Sequence, residues 1–86
     1  MYRVDLSSKA KKGYEIYTIY RRQIDAVLEK LETNLFPFHD FDLVKLKGLD
    51  NTYRIRIGKI RVKYHVIENE KIVLIYYIGL RETAYD

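Results

Sequence analysis

Apolar residues recur every three or four positions through the first half of the chain, the period of an α-helix with one buried face. This pattern predicts a helix over residues 14–33 that ends before Pro37. Ahead of it, Ser7-Ser8 supplies an N-cap for a short helical turn over Lys9–Lys12 that ends at Gly13. The apolar positions that define the longer helix are Tyr17, Tyr20, Ile24, Val27, Leu28, Leu31 and Leu35.

Apolar and polar residues alternate one by one in the remaining segments, which is the pattern of β-strands. The alternating segments are Tyr2–Leu6, Leu43–Lys47, Thr52–Ile57, Ile60–Ile67 and Ile72–Ile78. The second and third of these are either two strands or one strand bent at Gly48. The order β-α-α-β-β-β predicts an α+β fold in a single domain, residues 1–86: a small antiparallel β-sheet packed on one face by two N-terminal helices.

A β-hairpin is predicted around Gly58-Lys59, because a two-residue loop with glycine first is typical of a type II′ turn. Counting outward pairs Arg56 with Arg61 and Arg54 with Lys63, and places these four cations on one face. The opposite face is apolar throughout: Tyr53, Ile55, Ile57, Ile60, Val62 and Tyr64. Like charges that face each other across two strands are destabilising. The hairpin therefore indicates a bound polyanion, unless its cations reach solvent and pair with distant acids.

The last strand is predicted to be apolar on both faces. Continuing the pairing past a second turn at Asn69-Glu70 puts Val73, Ile75 and Tyr77 toward the helices. Ile72, Leu74, Tyr76 and Ile78 then lie on the same face as the arginines. Since a sheet open to water needs no apolar residues there, Leu74, Tyr76 and Ile78 are predicted to face a protein partner.

The net charge of +4 is concentrated in one segment. Residues 43–64 carry seven basic residues and one acid, a charge of +6, so the other residues sum to −2. A mildly acidic body with one strongly basic segment indicates a polyanionic partner such as nucleic acid. The alternative is a solvated basic face without a partner.

Several classes of protein are excluded or disfavoured by composition. The absence of cysteine excludes disulfides and zinc–thiolate sites and agrees with a cytoplasmic location. The longest apolar run, Ile72–Ile78, is far shorter than a membrane span, and the N-terminus lacks the apolar core of a signal peptide. No metal-ligand constellation surrounds Asp40 and Asp42, so we expect no metal and no cofactor.

Four short segments resemble the RelE/ParE superfamily of bacterial and archaeal toxins, and its RelE branch in particular. They are Lys45-Leu46-Lys47-Gly48, Tyr53-Arg54-Ile55-Arg56-Ile57-Gly58, Arg61-Val62-Lys63-Tyr64 and Ile78-Gly79-Leu80-Arg81-Glu82, followed by Tyr85. The resemblance implies a RelE/ParE-like microbial RNase fold. It also implies the toxin of a type II toxin–antitoxin system, neutralised by a small acidic antitoxin that wraps it. Operator DNA would be bound only through that antitoxin.

RelE-type toxins enter the ribosomal A site and cut mRNA by attack of the nucleotide's own 2′-hydroxyl. Carried over by position, the resemblance implies that Arg61, Arg81 and Tyr85 are catalytic, with the arginines on the phosphate and the tyrosine as base. The residues expected to bind RNA or the ribosome are Arg54, Arg56, Lys45, Lys47 and Lys63. His65, on the face of Arg61 and Lys63, is either an acid–base group or structural.

The sequence departs from the family at the basic pair, where lysine is common and Arg54 and Arg56 stand here. Arginine does not lose its proton in proteins, so this pair cannot supply a general base. The pair therefore keeps open a catalytically inactive member that acts in antitoxin binding and operator repression. A ParE-type poison of a type II topoisomerase is a separate alternative, which Arg81 and the terminal tyrosine disfavour.

Overall fold

The computed structural model describes residues 1–80. Five strands and two helices follow the chain: β1 (Arg3–Leu6), α1 (Ser8–Ile16), α2 (Arg21–Leu31), β2 (Asp42–Lys45), β3 (Thr52–Ile57), β4 (Ile60–Ile67) and β5 (Ile72–Leu80). Single 3₁₀ turns lie at Thr18–Tyr20 and Glu68–Glu70. Within these 80 residues, no helix has the length and apolar character needed to span a membrane.

The strands form one sheet in the order β1-β5-β4-β3-β2. The predicted α+β class is confirmed, and the two segments on either side of Gly48 are separate, antiparallel strands. The sheet is mixed rather than wholly antiparallel, because β1 pairs in parallel with β5. A parallel pair needs a crossover connection, and α1 and α2 lie in the chain between β1 and the rest of the sheet.

The helices differ from the prediction at two points. The Ser7 hydroxyl accepts a hydrogen bond from the Ala10 backbone at 3.1 Å, as expected of an N-cap, but α1 continues past Gly13. Gly13 is buried against β5, where an added Cβ would lie 1.8 Å from the Ile78 carbonyl oxygen. The glycine therefore permits close packing of helix on sheet and does not end the helix.

The single helix predicted over residues 14–33 is interrupted at Tyr17, whose backbone leaves the helical region (φ −91°, ψ 60°). Arg21 joins the two parts: its guanidinium lies 4.0 Å from the Tyr14 ring centroid and donates to the Tyr14 carbonyl at 2.9 Å. The Tyr14 hydroxyl donates to Asp25 at 2.7 Å, and this hydrogen bond raises the pKa of Tyr14.

The core lies between the helices and one face of the sheet. Ile24, Val27 and Leu31 of α2 are buried there with the apolar residues of β3, β4 and β5. The Tyr64 hydroxyl donates to the Leu35 carbonyl at 2.8 Å and ties the connector after α2 to the sheet. Burial raises the pKa of Tyr64, so its phenol is neutral in the folded protein.

A β-bulge in β5 changes the face to which its last residues belong. Tyr64 pairs with Ile75 but Lys63 pairs with Tyr77, which leaves Tyr76 as the extra residue. Beyond the bulge the predicted faces are wrong. Ile78 lies opposite Val62 and is 3% exposed in the core, so it does not face a partner, whereas Tyr77 lies on the outer face.

Candidate functional site

The predicted β3–β4 hairpin is confirmed in every pair. Arg56 lies opposite Arg61 and Arg54 lies opposite Lys63. Gly58 occupies the turn with a φ of +55°, a conformation that favours glycine and fixes the two-residue loop. Because directly opposed residues have Cβ atoms about 5 Å apart, four cations are concentrated in one area of the sheet. We call Arg54, Arg56, Arg61 and Lys63 the basic half of the outer face.

One carboxylate within the sheet faces two of these cations. Asp42 on β2 lies opposite Arg56, and its side chain contacts the Arg56 guanidinium at 2.7 Å and that of Arg54 at 3.8 Å. The sequence interpretation missed this acid as a partner. Finding it requires the β2–β3 register, which no short turn fixes. Arg54 and Arg56 therefore pair with an acid, which was the alternative to a bound polyanion.

Two cations of the basic half are largely removed from water. Arg61 is 8% exposed, and the Arg54 side chain is 12% exposed. Arginine is almost never buried to this degree without a specific environment. A guanidinium held in this way attracts an anion more strongly than one in solvent, because the effective dielectric constant is lower.

Aromatic rings adjoin the basic half on the β5 side. The Lys63 ammonium lies 4.9 Å from the Tyr77 ring centroid, and the Lys9 ammonium of α1 lies 5.0 Å from the same ring. Both distances fit cation–π contacts. Tyr77 was assigned to the helix-facing side from the alternation alone, so its place among these lysines was not foreseen.

His65 lies where the basic half ends on β4. Its ring stacks on Tyr76, with centroids 4.3 Å apart and planes inclined by 13°. Its Nδ1 is 2.9 Å from the hydroxyl oxygen of Thr52, the residue opposite it on β3. Burial lowers the pKa of His65, which favours a neutral imidazole near pH 7.

Beyond His65 the outer-face residues of β4 and β5 are apolar, and the Arg3–Asp5 ion pair of β1 borders them. Leu74 lies opposite His65, and Ile72 lies opposite Ile67 at the end of the strand pair. Ile72, Leu74 and Tyr76 are each partly exposed. We call these three residues the apolar half of the outer face. Over residues 1–80, no group of three or more His, Asp or Glu side chains is placed to hold a metal ion.

Comparison with known proteins identifies the family. No family model matches the sequence. The chain is 44% identical over 64 residues to a protein of Methanocaldococcus jannaschii described as "Putative toxin RelE1"; the alignment covers 74% of this chain and 71% of that protein. The chain belongs to the RelE toxin family.

Solved structures of RelE toxins share the fold. The archaeal RelE–RelB complex of Pyrococcus horikoshii is 29% identical, with a TM-score of 0.78 over 96% of this chain and 98% of that one. The intact E. coli RelBE toxin–antitoxin complex is 22% identical, with a TM-score of 0.77 over 96% and 100% of the two chains. The predicted RelE-like fold is thereby confirmed.

The residues expected to bind RNA in this RelE-family chain do not all share one face. Lys45 lies opposite Tyr53, on the helix-facing side of the sheet, where it lines a cavity of about 400 Å³ together with Phe36 and Leu43. Lys47 lies in the β2–β3 loop. Lys45 therefore lies on the other side of the sheet from Arg54, Arg56, Arg61 and Lys63, which lie together, and its contact with RNA stays a prediction.

The residues predicted to face a protein partner are also divided between the two faces of the sheet. Leu74 and Tyr76 lie on the outer face as expected, and Ile78 does not. Arg81 and Tyr85 lie outside the described residues. Their catalytic roles stay predictions from the family resemblance.

Proposed function

We propose that this RelE-family toxin is a ribosome-dependent endoribonuclease that cleaves mRNA in the ribosomal A site and so inhibits translation. The observation that carries the proposal is the basic half, in which two opposed pairs of cations include the buried Arg61 and the nearly buried Arg54. Like charges that face each other across two strands repel, and a phosphate of the RNA that binds between these side chains counters that repulsion.

The chemistry of 2′-hydroxyl attack matches this arrangement. The 2′-oxygen adds to the neighbouring phosphorus, and negative charge builds on the phosphorane oxygens as the bond to the 5′-oxygen breaks. Cations fixed beforehand at that place stabilise the transition state more than the ground state. Arg61 carries this role among the described residues, since a guanidinium can bind two phosphate oxygens at once. Arg81 and Tyr85 are the proposed contributors from the end of the chain.

Positioning on the ribosome falls to the other cations. Arg54, Arg56 and Lys63 contact RNA phosphates, and a toxin held by ribosomal RNA as well as mRNA is expected to leave naked RNA intact. Asp42 acts as an exchangeable counterion, since its contacts with Arg54 and Arg56 occupy the side chains until phosphate replaces it.

We further propose that a cognate antitoxin covers the apolar half. The solved Pyrococcus horikoshii and E. coli relatives are complexes of RelE with RelB. Leu74 and Tyr76 give such a partner a hydrocarbon and aromatic surface next to the basic half. An acidic antitoxin bound there would also oppose the entry of RNA.

A second candidate is a family member that represses transcription with its antitoxin and does not cut RNA. The observation that favours it is that Arg54 and Arg56, which cannot take up a proton, share one carboxylate. The two candidates differ in whether the isolated toxin cleaves mRNA at all.

The test adds the purified chain to a translating extract and maps the ends of the mRNA. We expect cuts within codons on ribosome-bound mRNA, and none on the same RNA free of ribosomes. Arg81→Ala and Tyr85→Phe should each reduce cleavage strongly while the far-ultraviolet circular dichroism stays native. Intact mRNA with normal antitoxin binding would favour the repressor, and intact mRNA with accumulating gyrase–DNA adducts would favour a ParE-type poison.

A further inference from the structure

The hydrogen bonds around Thr52 assign the tautomer of His65. The Thr52 hydroxyl donates its one proton to the Asp50 carbonyl oxygen at 2.8 Å. Toward His65 the same oxygen can then only accept, so the proton of the 2.9 Å contact is carried by Nδ1. In the neutral ring, Nε2 therefore holds the free lone pair. Thr52 is 1% exposed, so water does not compete for this chain of hydrogen bonds.

The ring is held in one orientation. The hydrogen bond to Thr52 fixes one edge, and the stacked Tyr76 ring fixes one face. Over residues 1–80, no hydrogen bond engages Nε2. The imidazole thus has the form of a positioned base: neutral, oriented through its other nitrogen and partly open to the outer face.

The groups that face His65 come from three strands. On β4 the neighbour on the same face is Lys63, and on β3 it is Arg54, which lies opposite Lys63. On β5 Leu74 lies opposite and Tyr76 stacks. Residues two apart on a strand face are about 7 Å apart, so a phosphate bound by the two cations would lie next to the imidazole.

The reaction proposed above lacks a base among the arginines. A 2′-hydroxyl must lose a proton as it attacks, and Arg54, Arg56 and Arg61 cannot accept one. Of the described residues on the outer face, only His65 belongs to a side-chain type that ordinarily titrates near neutral pH.

We propose that His65 Nε2, and not the Tyr85 that the family resemblance implies, is the general base of RNA cleavage, with Thr52 as the residue that positions it; this rests on the endoribonuclease function proposed above. Nε2 takes the proton of the 2′-hydroxyl as the 2′-oxygen bonds to phosphorus. The P–O5′ bond breaks, and the 5′-oxygen leaves with its electron pair and takes a proton from water. The products are a 2′,3′-cyclic phosphate and a 5′-hydroxyl, and the imidazolium returns its proton to solvent.

The experiment measures single-turnover cleavage of mRNA on purified ribosomes at saturating toxin, between about pH 5.5 and 8.5. For the natural chain we expect the rate to fall on the acid side, where Nε2 becomes protonated. In His65→Gln the rate at neutral pH should fall by about 10²–10⁴-fold and the acid limb should disappear. The matched control is His39→Gln, in the segment between α2 and β2, which should keep both the cleavage rate and its pH profile.

A second pair of variants tests the positioning. Thr52→Val keeps the shape but removes the hydroxyl, so cleavage should fall by about 10-fold or more, and Thr52→Ser should restore it. Nitrogen-15 spectra of the imidazole should show the Nδ1–H form in the natural chain and in Thr52→Ser, and its loss in Thr52→Val. This pair and the spectra decide the assignment if His65→Gln does not fold.

The outcomes separate the two proposals. Cleavage by the natural chain that persists in His65→Gln with the same acid limb would overturn the role of His65 and leave the function standing. An Nε2–H tautomer in the natural chain would also overturn it. Absence of ribosome-dependent cleavage by the natural chain at every pH would overturn the function itself.

Discussion

The basic half and the apolar half lie side by side on one sheet face and differ in what they need from a partner. In the basic half, Arg56 and Arg61 lie opposite each other across the hairpin, and Asp42 contacts Arg56 at 2.7 Å. In the apolar half, Leu74 and Tyr76 leave hydrocarbon and ring surface partly in water.

The two halves are suited to two different kinds of ligand on one face of the sheet. A phosphate offsets charge repulsion, and its binding weakens with salt. A protein surface offsets exposed hydrocarbon, and its binding depends far less on salt. His65 and Tyr76 stack at the boundary. Under the proposed function, this stack is where the RNA and the antitoxin come nearest to each other.

The first prediction concerns Arg61 of the basic half and the rate of RNA cleavage. Arg61→Ala should reduce ribosome-dependent cleavage by about 10²–10³-fold, because in the proposed mechanism it removes a cation from the place where negative charge develops. Antitoxin affinity should change by less than about 3-fold. Single-turnover cleavage and titration with the cognate antitoxin measure the two effects.

The control for this prediction is Lys59→Ala, since Lys59 is exposed in the turn of the same hairpin. It removes one positive charge without touching the basic half and should leave cleavage nearly unchanged. Equal losses in Arg61→Ala and Lys59→Ala would mean that net charge matters and the arrangement does not.

The second prediction concerns two residues of β5 that the bulge assigns to different faces. Ile78→Ala should lower the free energy of unfolding by about 2–5 kcal/mol, because Ile78 is buried in the core. Leu74→Ala should lower it by less than about 1 kcal/mol and should instead weaken antitoxin binding by about 10-fold. Urea unfolding and antitoxin titration of both variants provide the measurements. A larger loss of stability in Leu74→Ala would contradict the placement of the apolar half.

The hairpin was predictable from the sequence because a two-residue turn fixes its register. Once Gly58-Lys59 is placed, every cross-strand pair follows by counting, and the structure has the same pairs. The β2–β3 connection is longer, and two of its residues, Gly48 and Asn51, have positive φ. Its register cannot be counted from a turn, so the contact of Asp42 with Arg56 and the true face of Lys45 were not predicted.

Other errors arose where local pattern carries no signal. Tyr76 and Tyr77 are both tyrosines, so the sequence does not show that one of them is the extra residue of a β-bulge. The parallel pairing of β1 with β5 joins residues some seventy positions apart, and no local pattern encodes it. Gly13 allows α1 to pack closely against Ile78. A glycine is also typical of a helix end, and the sequence alone does not distinguish the two roles. The roles of Arg81 and Tyr85 remain predictions from the family resemblance.

The third prediction compares two lysines on opposite faces. Lys63→Ala should make the salt dependence of ribosome binding shallower, by about 0.7–0.9 in the slope of log K against log salt, since one phosphate contact is lost. Lys45→Ala removes the same charge from the helix-facing side and should leave the slope unchanged. Binding assays across a salt series measure both slopes. Equal changes would place Lys45 in the RNA interface and remove the distinction between the faces.

The fourth prediction has the smallest expected effect and concerns the stability contributed by His65, at the boundary between the halves. Burial lowers the pKa of His65 below its usual 6.5, so the folded chain binds fewer protons than the unfolded chain in mildly acid solution. The contribution of this group to the free energy of unfolding is therefore complete above about pH 6.5 and declines as the pH falls toward the pKa of the folded state.

His65→Gln should abolish this part of the decline in stability, while His39→Gln keeps it. Because the ring is only half-buried, we expect a difference of about 2 °C in Tm at acid pH, measured by thermal unfolding across the pH series. If the two variants lose stability in parallel on acidification, His65 makes no separate contribution to the pH dependence of stability.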